Sequence, residues 1–299
     1  MRKIDKFKGL GVALVTPFTN DNQGDHAAIA NIINFIIKNG VDYFLLLGTT
    51  GESPTVTPEE RQAIIKTAVA TVSGRVPIVV GIGGNCTASA VKAIAETDLT
   101  GVDAILSVTP FYNRPTQEGL IQHYTELAYH SPLPIILYSI KGRTAVNIDY
   151  ETVLRLAENE KIIGVKEASG NMNQIMSLIK HKPNDFLIIS GDDAITLPLM
   201  AAGADGLISV VANAFPKEIS QMVHWAIQGN FEEARKIHLQ MLDITQACFK
   251  EGNPSGIKTF LACKGFIKYY LRLPLIRVSM EHQNYIKQLL YDFQTDFED

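Results

Sequence analysis

Lys166 ends the apolar run Ile162-Ile163-Gly164-Val165 and precedes the polar turn Glu167-Ala168-Ser169-Gly170. Burial disfavours a charged amine, and the neutral amine is the nucleophile that Schiff-base chemistry requires. Taken alone, a lysine snorkelling to the surface from a strand end is the commoner case. Tyr138 shifts that balance, because it ends the preceding apolar run and its phenol can share one small volume with the amine if the two strands are neighbours. Tyr138 and Tyr112 are each, in isolation, ordinary packed aromatics whose hydroxyl reaches water. Arg143 is equally a surface charge, yet a guanidinium in such a loop suits a substrate carboxylate, gripped through two parallel hydrogen bonds. It also disfavours protonation of a nearby amine.

The turn Gly48-Thr49-Thr50-Gly51-Glu52-Ser53 offers free backbone N–H groups and two hydroxyls. Gly-rich turns of this kind bind anions, but the lysine of a phosphate-binding P-loop is missing. A small carboxylate held by the backbone, Thr49 and Thr50 fits better, and a purely structural turn remains open. Asp192 and Asp193 read as turn or cap residues rather than general acids. His26 falls in the first loop, and His123, His130, His181, His224, His238 and His282 fall in helical or connecting segments. None ends a strand, so all seven read as structural or surface residues. A metal-dependent aldolase or hydrolase ordinarily wants imidazoles or several carboxylates converging at the site.

Eight apolar runs must position these groups: Gly11 to Val15, Tyr43 to Leu47, Ile78 to Ile82, Ala104 to Val108, Ile135 to Leu137, Ile162 to Val165, Leu187 to Ile189 and Leu207 to Val210. Each has the length of a parallel strand buried on both faces. Amphipathic stretches lie between them, such as Glu59 to Ser73, Glu118 to His130 and Thr152 to Glu158. Thr57-Pro58-Glu59-Glu60 reads as an N-cap, a first-turn proline and a glutamate reaching back to the cap, and Asp149 is a candidate cap for a later helix. Strand and crossover helix repeated eight times point to an α/β fold, a (β/α)8 TIM barrel, in preference to an open doubly wound sheet. Functional groups of such barrels sit at the C-terminal strand ends, where Lys166, Tyr138, Arg143 and the Gly48 turn all fall. After Val210 the pattern is helical only, with candidates at Glu218 to Ile227, Phe231 to Cys248, Ile257 to Tyr269 and Met280 to Phe293. The expected division is a catalytic barrel over residues 1–228 and a C-terminal helical bundle, residues 229–299, packed upon it. No flexible linker separates the two, and the acidic end Asp296-Phe297-Glu298-Asp299 is expected to fray.

The chain has 299 residues, 46% hydrophobic and 19% charged, and a formal net charge of −4 without basic blocks. That composition argues for a soluble globular protein with small-molecule ligands, and against a nucleic-acid or membrane partner. Cys86, Cys248 and Cys263 are odd in number and far apart, which fits three buried or inert thiols in a reducing compartment. No export signal or membrane span is recognisable, and a cytoplasmic location is expected.

Taken in order from about Gly9 to Gly265, the strand ends resemble the pyruvate-dependent class I aldolase family, which includes dihydrodipicolinate synthases and N-acetylneuraminate lyases. The resemblance rests on Gly48-Thr49-Thr50-Gly51-Glu52, Thr109-Pro110-Phe111-Tyr112-Asn113, Tyr138 with Arg143-Thr144, Gly164-Val165-Lys166-Glu167, Ser190-Gly191-Asp192-Asp193 and Gly206-Leu207-Ile208-Ser209. Each motif is short, but their joint order is specific. Arg143 favours the synthase branch, since the neuraminate lyases carry a different residue there, and Gly252-Asn253-Pro254 followed by Lys258 is also synthase-like.

The resemblance implies that Lys166 captures pyruvate as an imine, whose enamine attacks L-aspartate 4-semialdehyde to give 4-hydroxy-tetrahydrodipicolinate for lysine and diaminopimelate biosynthesis. It implies proton transfer by Tyr138 with Thr49 and with Tyr112, the last supplied by a neighbouring subunit. Thr50 would hold the pyruvate carboxylate, Arg143 that of the second substrate, and Gly191 and Ile208 would line the pocket. No cofactor beyond the covalent Lys166-pyruvate imine and no metal are implied, and the assembly implied is a homotetramer, a dimer of dimers. N-acetylneuraminate lyase or another pyruvate-dependent keto-acid aldolase is the second reading. A metal-dependent enolising enzyme or a non-catalytic barrel is the reading from another class.

Two departures bear on these expectations. The family usually has Tyr-Asn-Val-Pro leading to the arginine, whereas this chain has Tyr138-Ser139-Ile140-Lys141, so the loop that aims Arg143 is expected to differ. Many members are inhibited by L-lysine at a dimer interface. Here Pro58, Arg61, Ser89 and Phe111 stand at matching positions in place of the usual His, Glu or Tyr types, while Asn85 is retained. Weak or absent lysine feedback is expected.

Overall fold

All eight apolar runs become parallel strands, and they close into one barrel in chain order in the computed structural model, which describes residues 4–295. The strands are β1 (Gly9–Ala13), β2 (Tyr43–Leu46), β3 (Ile78–Gly81), β4 (Ala104–Val108), β5 (Ile135–Ser139), β6 (Ile162–Glu167), β7 (Leu187–Ser190) and β8 (Gly206–Ser209). The connecting helices are α1 (His26–Lys38), α2 (Pro58–Val72), α3 (Thr87–Glu96), α4 (Gln117–His130), α5 (Lys141–Thr144), α6 (Tyr150–Leu156), α7 (Met172–His181), α8 (Thr196–Ala202) and α9 (Pro216–Ile227). Four more follow: α10 (Phe231–Gln240), α11 (Leu242–Lys250), α12 (Ser255–Cys263) and α13 (Met280–Thr295). The acidic end Asp296–Asp299 lies outside the described residues.

The strands are buried on both faces, and their side chains divide with period two between two cores. Leu10, Val12, Phe44, Leu46, Val80, Ile105, Leu137 and Ile188 face outward into the layer beneath the helices. Tyr43, Leu45, Val79, Leu106, Ile136, Tyr138, Leu187, Ile189 and Ile208 fill the barrel interior. Phe7, in a short 3-10 turn ahead of β1, plugs the N-terminal end and meets Tyr43 edge to face at 5.9 Å.

Several boundaries differ from the sequence reading. β1 ends at Ala13, because Val15 N–H leaves the sheet to donate to Asn213 Oδ1 at 3.0 Å. β5 and β6 run further than their apolar residues, so Tyr138 and Lys166 lie inside paired strand rather than at its last residue. Thr57 and Glu60 form the full capping box of α2. Asp149 occupies the N-cap of α6 but makes no cap bond, since its carboxylate accepts from Asn147 Nδ2 at 2.9 Å. The stretch read as one helix from Phe231 to Cys248 is interrupted at the buried Met241, which keeps a right-handed backbone but opens to a ψ of −3° between α10 and α11. The one read from Ile257 to Tyr269 stops at Cys263, and Gly265 follows in the left-handed conformation that terminates helices. Of the three thiols only Cys248 is buried, and Cys86 and Cys263 are exposed. Among the described residues no helix is long and apolar enough to cross a membrane.

The helices after α9 lean on the barrel. α10 packs against α9 and α8, while α11 and α12 rest on the turn Val211–Asn213 that follows β8 and pack with α13. The C-terminal end of the barrel is thereby roofed on one side by α11 and the segment leading into α12.

Candidate active site

A cavity of about 50 Å³ opens at the C-terminal end of the barrel, walled by residues of β1, β2, β5 and β6, by the ends of β7 and β8, and by Phe249 and Asn253 of the C-terminal extension. Lys166 comes from β6 and Tyr138 from β5, and the two are direct partners in the strand ladder. The ladder shifts by one residue between Ile135 and Ile136, which brings Gly164 and Lys166 of β6 into step with Ile136 and Tyr138, two residues of the interior core. Lys166 is 4% exposed, with Nζ 4.5 Å from the centre of the Tyr138 ring. Its stem lies against Gly191: a Cβ at that position would come within 2.9 Å of Lys166 Cε. Only glycine leaves the lysine its place.

The electrostatics follow from this burial. Desolvation lowers the Lys166 amine to about 8, Arg143 pushes in the same direction, and the buried carboxylate of Asp193 opposes them. Among the described residues Lys166 makes no ion pair. Asp193 sits in the turn after β7, where it accepts from Ser209 Oγ and from Val210 N–H at 3.0 Å, and burial raises its carboxyl. Burial also raises the Tyr138 phenol, to about 12, against the pull of Arg143 and of its hydrogen bond with Thr49. The phenol therefore keeps its proton at neutral pH and can donate it or pass it on. Lowering the amine to about 8 makes its neutral, nucleophilic form far more accessible near neutral pH than that of an ordinary lysine, and beside such a phenol it can add to a carbonyl and have its protons managed.

The turn after β2 supplies Thr49 and Thr50 to the same cavity. It is held by Thr16 Oγ1, which donates to Gly51 O at 2.7 Å, and by Glu52, which sits in a left-handed conformation. The Glu52 carboxylate reaches the amine of Lys258 on α12 and accepts from Arg272 N–H at 3.1 Å. Arg272 in turn binds Glu60 and the carbonyl oxygen of Thr55. Lys258 and Arg272 lie on the ring of Phe18, 4.4 Å and 4.3 Å from its centre. This buried charge cluster ties the threonine turn to the C-terminal helices.

Arg143 stands in the one-turn helix α5, whose start is fixed by Thr144 Oγ1 donating to Ile140 O at 3.0 Å. The unusual Ser139-Ile140-Lys141 loop thus still delivers the guanidinium to the cavity wall. Arg143 Nη2 also points to Asn253 O, at 3.5 Å. Of the other residues singled out by sequence, Gly191 lines the cavity, whereas Ile208 lies in the interior core and Val210 takes the lining position. Tyr112 is not brought in at all: it is 90% exposed and has a φ of +73° on the outer side of the β4 loop. Phe249 and Asn253 also line the cavity, although no sequence signal marked Phe249 and Asn253 carried only a family likeness without a role.

Two larger chambers adjoin. One of about 490 Å³ shares Ile140, Arg143, Gly191 and Phe249 with the cavity and opens past Asp192, Gln246 and Lys250. Another of about 430 Å³ shares Thr49, Tyr138 and Arg143 and reaches Arg61 and Phe111. Arg61 is anchored there by Gly81 O at 2.9 Å and Ser53 Oγ at 3.1 Å. No histidine lines the cavity, and among the described residues no three His, Cys, Asp or Glu side chains are grouped to hold a metal.

A sequence profile of the dihydrodipicolinate synthetase family matches residues 6–292. The 4-hydroxy-tetrahydrodipicolinate synthase of Parabacteroides distasonis is 49% identical over 284 residues, covering 95% of this chain and 96% of the relative. The crystal structure of dihydrodipicolinate synthase from Aquifex aeolicus superposes with a TM-score of 0.93 at 40% identity, covering 96% of this chain and 98% of that one. The enzyme from Acinetobacter baumannii, crystallised in complex with pyruvate, reaches 0.93 at 36% identity over 95% and 98% of the two chains.

Proposed function

The chain belongs to the dihydrodipicolinate synthetase family, and from that premise we propose that it is a lyase condensing pyruvate with L-aspartate 4-semialdehyde to 4-hydroxy-tetrahydrodipicolinate. The observation that carries this reading is the unpaired, buried amine of Lys166, held at about 8 beside the protonated phenol of Tyr138. The amine adds to the keto carbon of pyruvate, water leaves, and the resulting iminium accepts the electron pair released when a methyl proton departs. The enamine carbon attacks the aldehyde of the second substrate. The amino group of that substrate then displaces Lys166 from the former keto carbon, which closes the ring and frees the enzyme.

Tyr138 carries protons between substrate and solvent through Thr49. Thr50 and the adjoining backbone hold the pyruvate carboxylate, Arg143 holds that of the semialdehyde, and Gly191 with the interior face around Ile208 and Val210 shapes the pocket. No cofactor enters, since the lysine imine itself serves as the electron sink. The barrel, residues 1–228, carries the covalent chemistry, and the extension, residues 229–299, walls the acceptor side through Phe249 and Asn253.

Tyr112 completes the proton chain of a second copy, which accounts for an aromatic side chain left 90% exposed on a loop. A pair of chains is then the minimal working unit, and two such pairs make a homotetramer in the cytoplasm. Sedimentation analysis checks the assembly, and Tyr112→Phe should slow turnover without dispersing it. Arg61 brings a positive charge to the neighbouring chamber, which disfavours a lysine ammonium there.

Treatment with pyruvate and borohydride should add the reduced keto acid to the peptide containing Lys166, and chelators should not prevent it. An unmodified peptide overturns the reading, and loss of adduct with chelator favours the metal-dependent class. Aspartate semialdehyde and N-acetylneuraminate supplied in parallel separate synthase from lyase. Arg143→Ala should cripple the condensation through the second substrate and leave pyruvate trapping largely intact.

A further inference from the structure

Asn253 enters the cavity from the segment before α12, 93 of every hundred parts of its surface covered, and its side-chain oxygen has no hydrogen-bond partner. Its Nδ2 donates to Thr50 Oγ1 at 3.1 Å, a buried contact between residues 203 apart in sequence. A hydroxyl has one hydrogen to give, and its oxygen accepts. With the oxygen of Thr50 occupied by an incoming N–H, the hydroxyl hydrogen is left for another acceptor. Among the described residues no protein group takes it, and Thr50 lies on the cavity wall. From this geometry we propose that Asn253 is a positioning residue for keto-acid binding: it fixes Thr50 as a donor toward the ligand carboxylate. The inference rests on the reading that Thr50 meets that carboxylate.

The amide is suited to the task because it is neutral and directional. A carboxylate of the same shape can only accept. It would draw the Thr50 hydrogen to itself and turn a lone pair toward the incoming anion. A bare leucine would leave the hydroxyl free to rotate. Asn253 O additionally receives the weaker contact from Arg143, so one residue of the C-terminal segment touches both groups assigned to carboxylates.

The test measures the pyruvate concentration giving half-maximal borohydride-trapped adduct, for wild type, Asn253→Asp, Asn253→Leu, Thr50→Val and the double variant Asn253→Asp/Thr50→Val, with each sample scaled to its folded fraction by circular dichroism. Asn253→Asp should raise the half-saturating concentration by about 10-fold or more, the scale of one charge-assisted hydrogen bond lost. Asn253→Leu should raise it less. Most of the aspartate effect should vanish in the Thr50→Val background, because it runs through the hydroxyl. A full-sized aspartate effect in that background means plain charge repulsion and overturns the proposal. So does an Asn253→Asp variant that loads pyruvate like wild type. If wild type itself fails to trap pyruvate, the functional reading falls, and this inference with it.

Discussion

Lys166 and Lys258 invite comparison, because both are buried beside the same threonine turn and desolvation brings both amines to about 8. Their surroundings are opposite. Lys258 is fully enclosed, its ammonium held by Glu52 and by Tyr270 O at 3.0 Å and seated on the Phe18 ring. Lys166 makes no ion pair among the described residues and faces a cavity with Tyr138 at its side. A depressed amine is thus not in itself a nucleophile. Lys258 has its proton committed to a partner and no room for a reactant, whereas Lys166 has room and, among the described residues, no ion-pair partner to hold its proton.

Replacing each lysine by methionine breaks this pairing most sharply. Lys166→Met should abolish the borohydride-trapped adduct outright, as judged by mass spectrometry, while Lys258→Met in the folded state should keep it. Lys258→Met leaves the Glu52 carboxylate buried without its cation, which should destabilise the fold by about 3–5 kcal/mol in denaturant titrations. Glu52→Leu added to it should recover much of that loss, since apolar replacement of a whole buried pair is often neutral. A Lys258→Met variant as stable as wild type would mean the ion cluster does not secure the threonine turn.

Lys166 should show the reverse stability effect. In the unfolded chain its amine holds a proton up to about 10.5, while in the folded chain it releases it near about 8. Between those values the unfolded state binds more protons, so stability rises with pH there and the burden of burying the ammonium is fully present below pH 8. That burden is about 3 kcal/mol at neutral pH. Lys166→Met should therefore be the more stable protein at pH 7, and the advantage should fade as pH climbs from 8 to 10.5. The rate of adduct formation should rise through about pH 8 as the amine loses its proton. A flat profile from pH 6 to 9 would contradict the assigned role. The smallest expected effect concerns the chamber beside Arg61, where millimolar L-lysine should leave the rate unchanged.

The barrel was legible because its strands are short apolar runs at regular intervals, and the capping box at Thr57 marked α2 directly. What periodicity could not give was direction. A parallel strand covered on both faces is apolar at every position, so nothing local says whether Lys166 faces the barrel axis or the helices. The shift in the β5 and β6 ladder decides it, and that is a property of two strands together. The resemblance supplied what the pattern lacked for Tyr138, Thr49 and Arg143. Phe249 and Asn253 escaped because they arrive from a segment distant in sequence, and their place depends on how α11 and α12 settle on the barrel. Met241 broke a continuous amphipathic pattern for the same reason, since tertiary packing overrode local preference.

The ladder that joins Tyr138 to Lys166 belongs to a closed sheet, in which no strand can slip without disturbing all eight. The backbone positions that carry phenol and amine are consequently set by the sheet as a whole, while Arg143 on α5 and Phe249 on α11 wall the cavity from outside that ladder. Selection acting on those outer walls can retune which aldehyde is accepted and still inherit an unaltered apparatus for activating the keto acid.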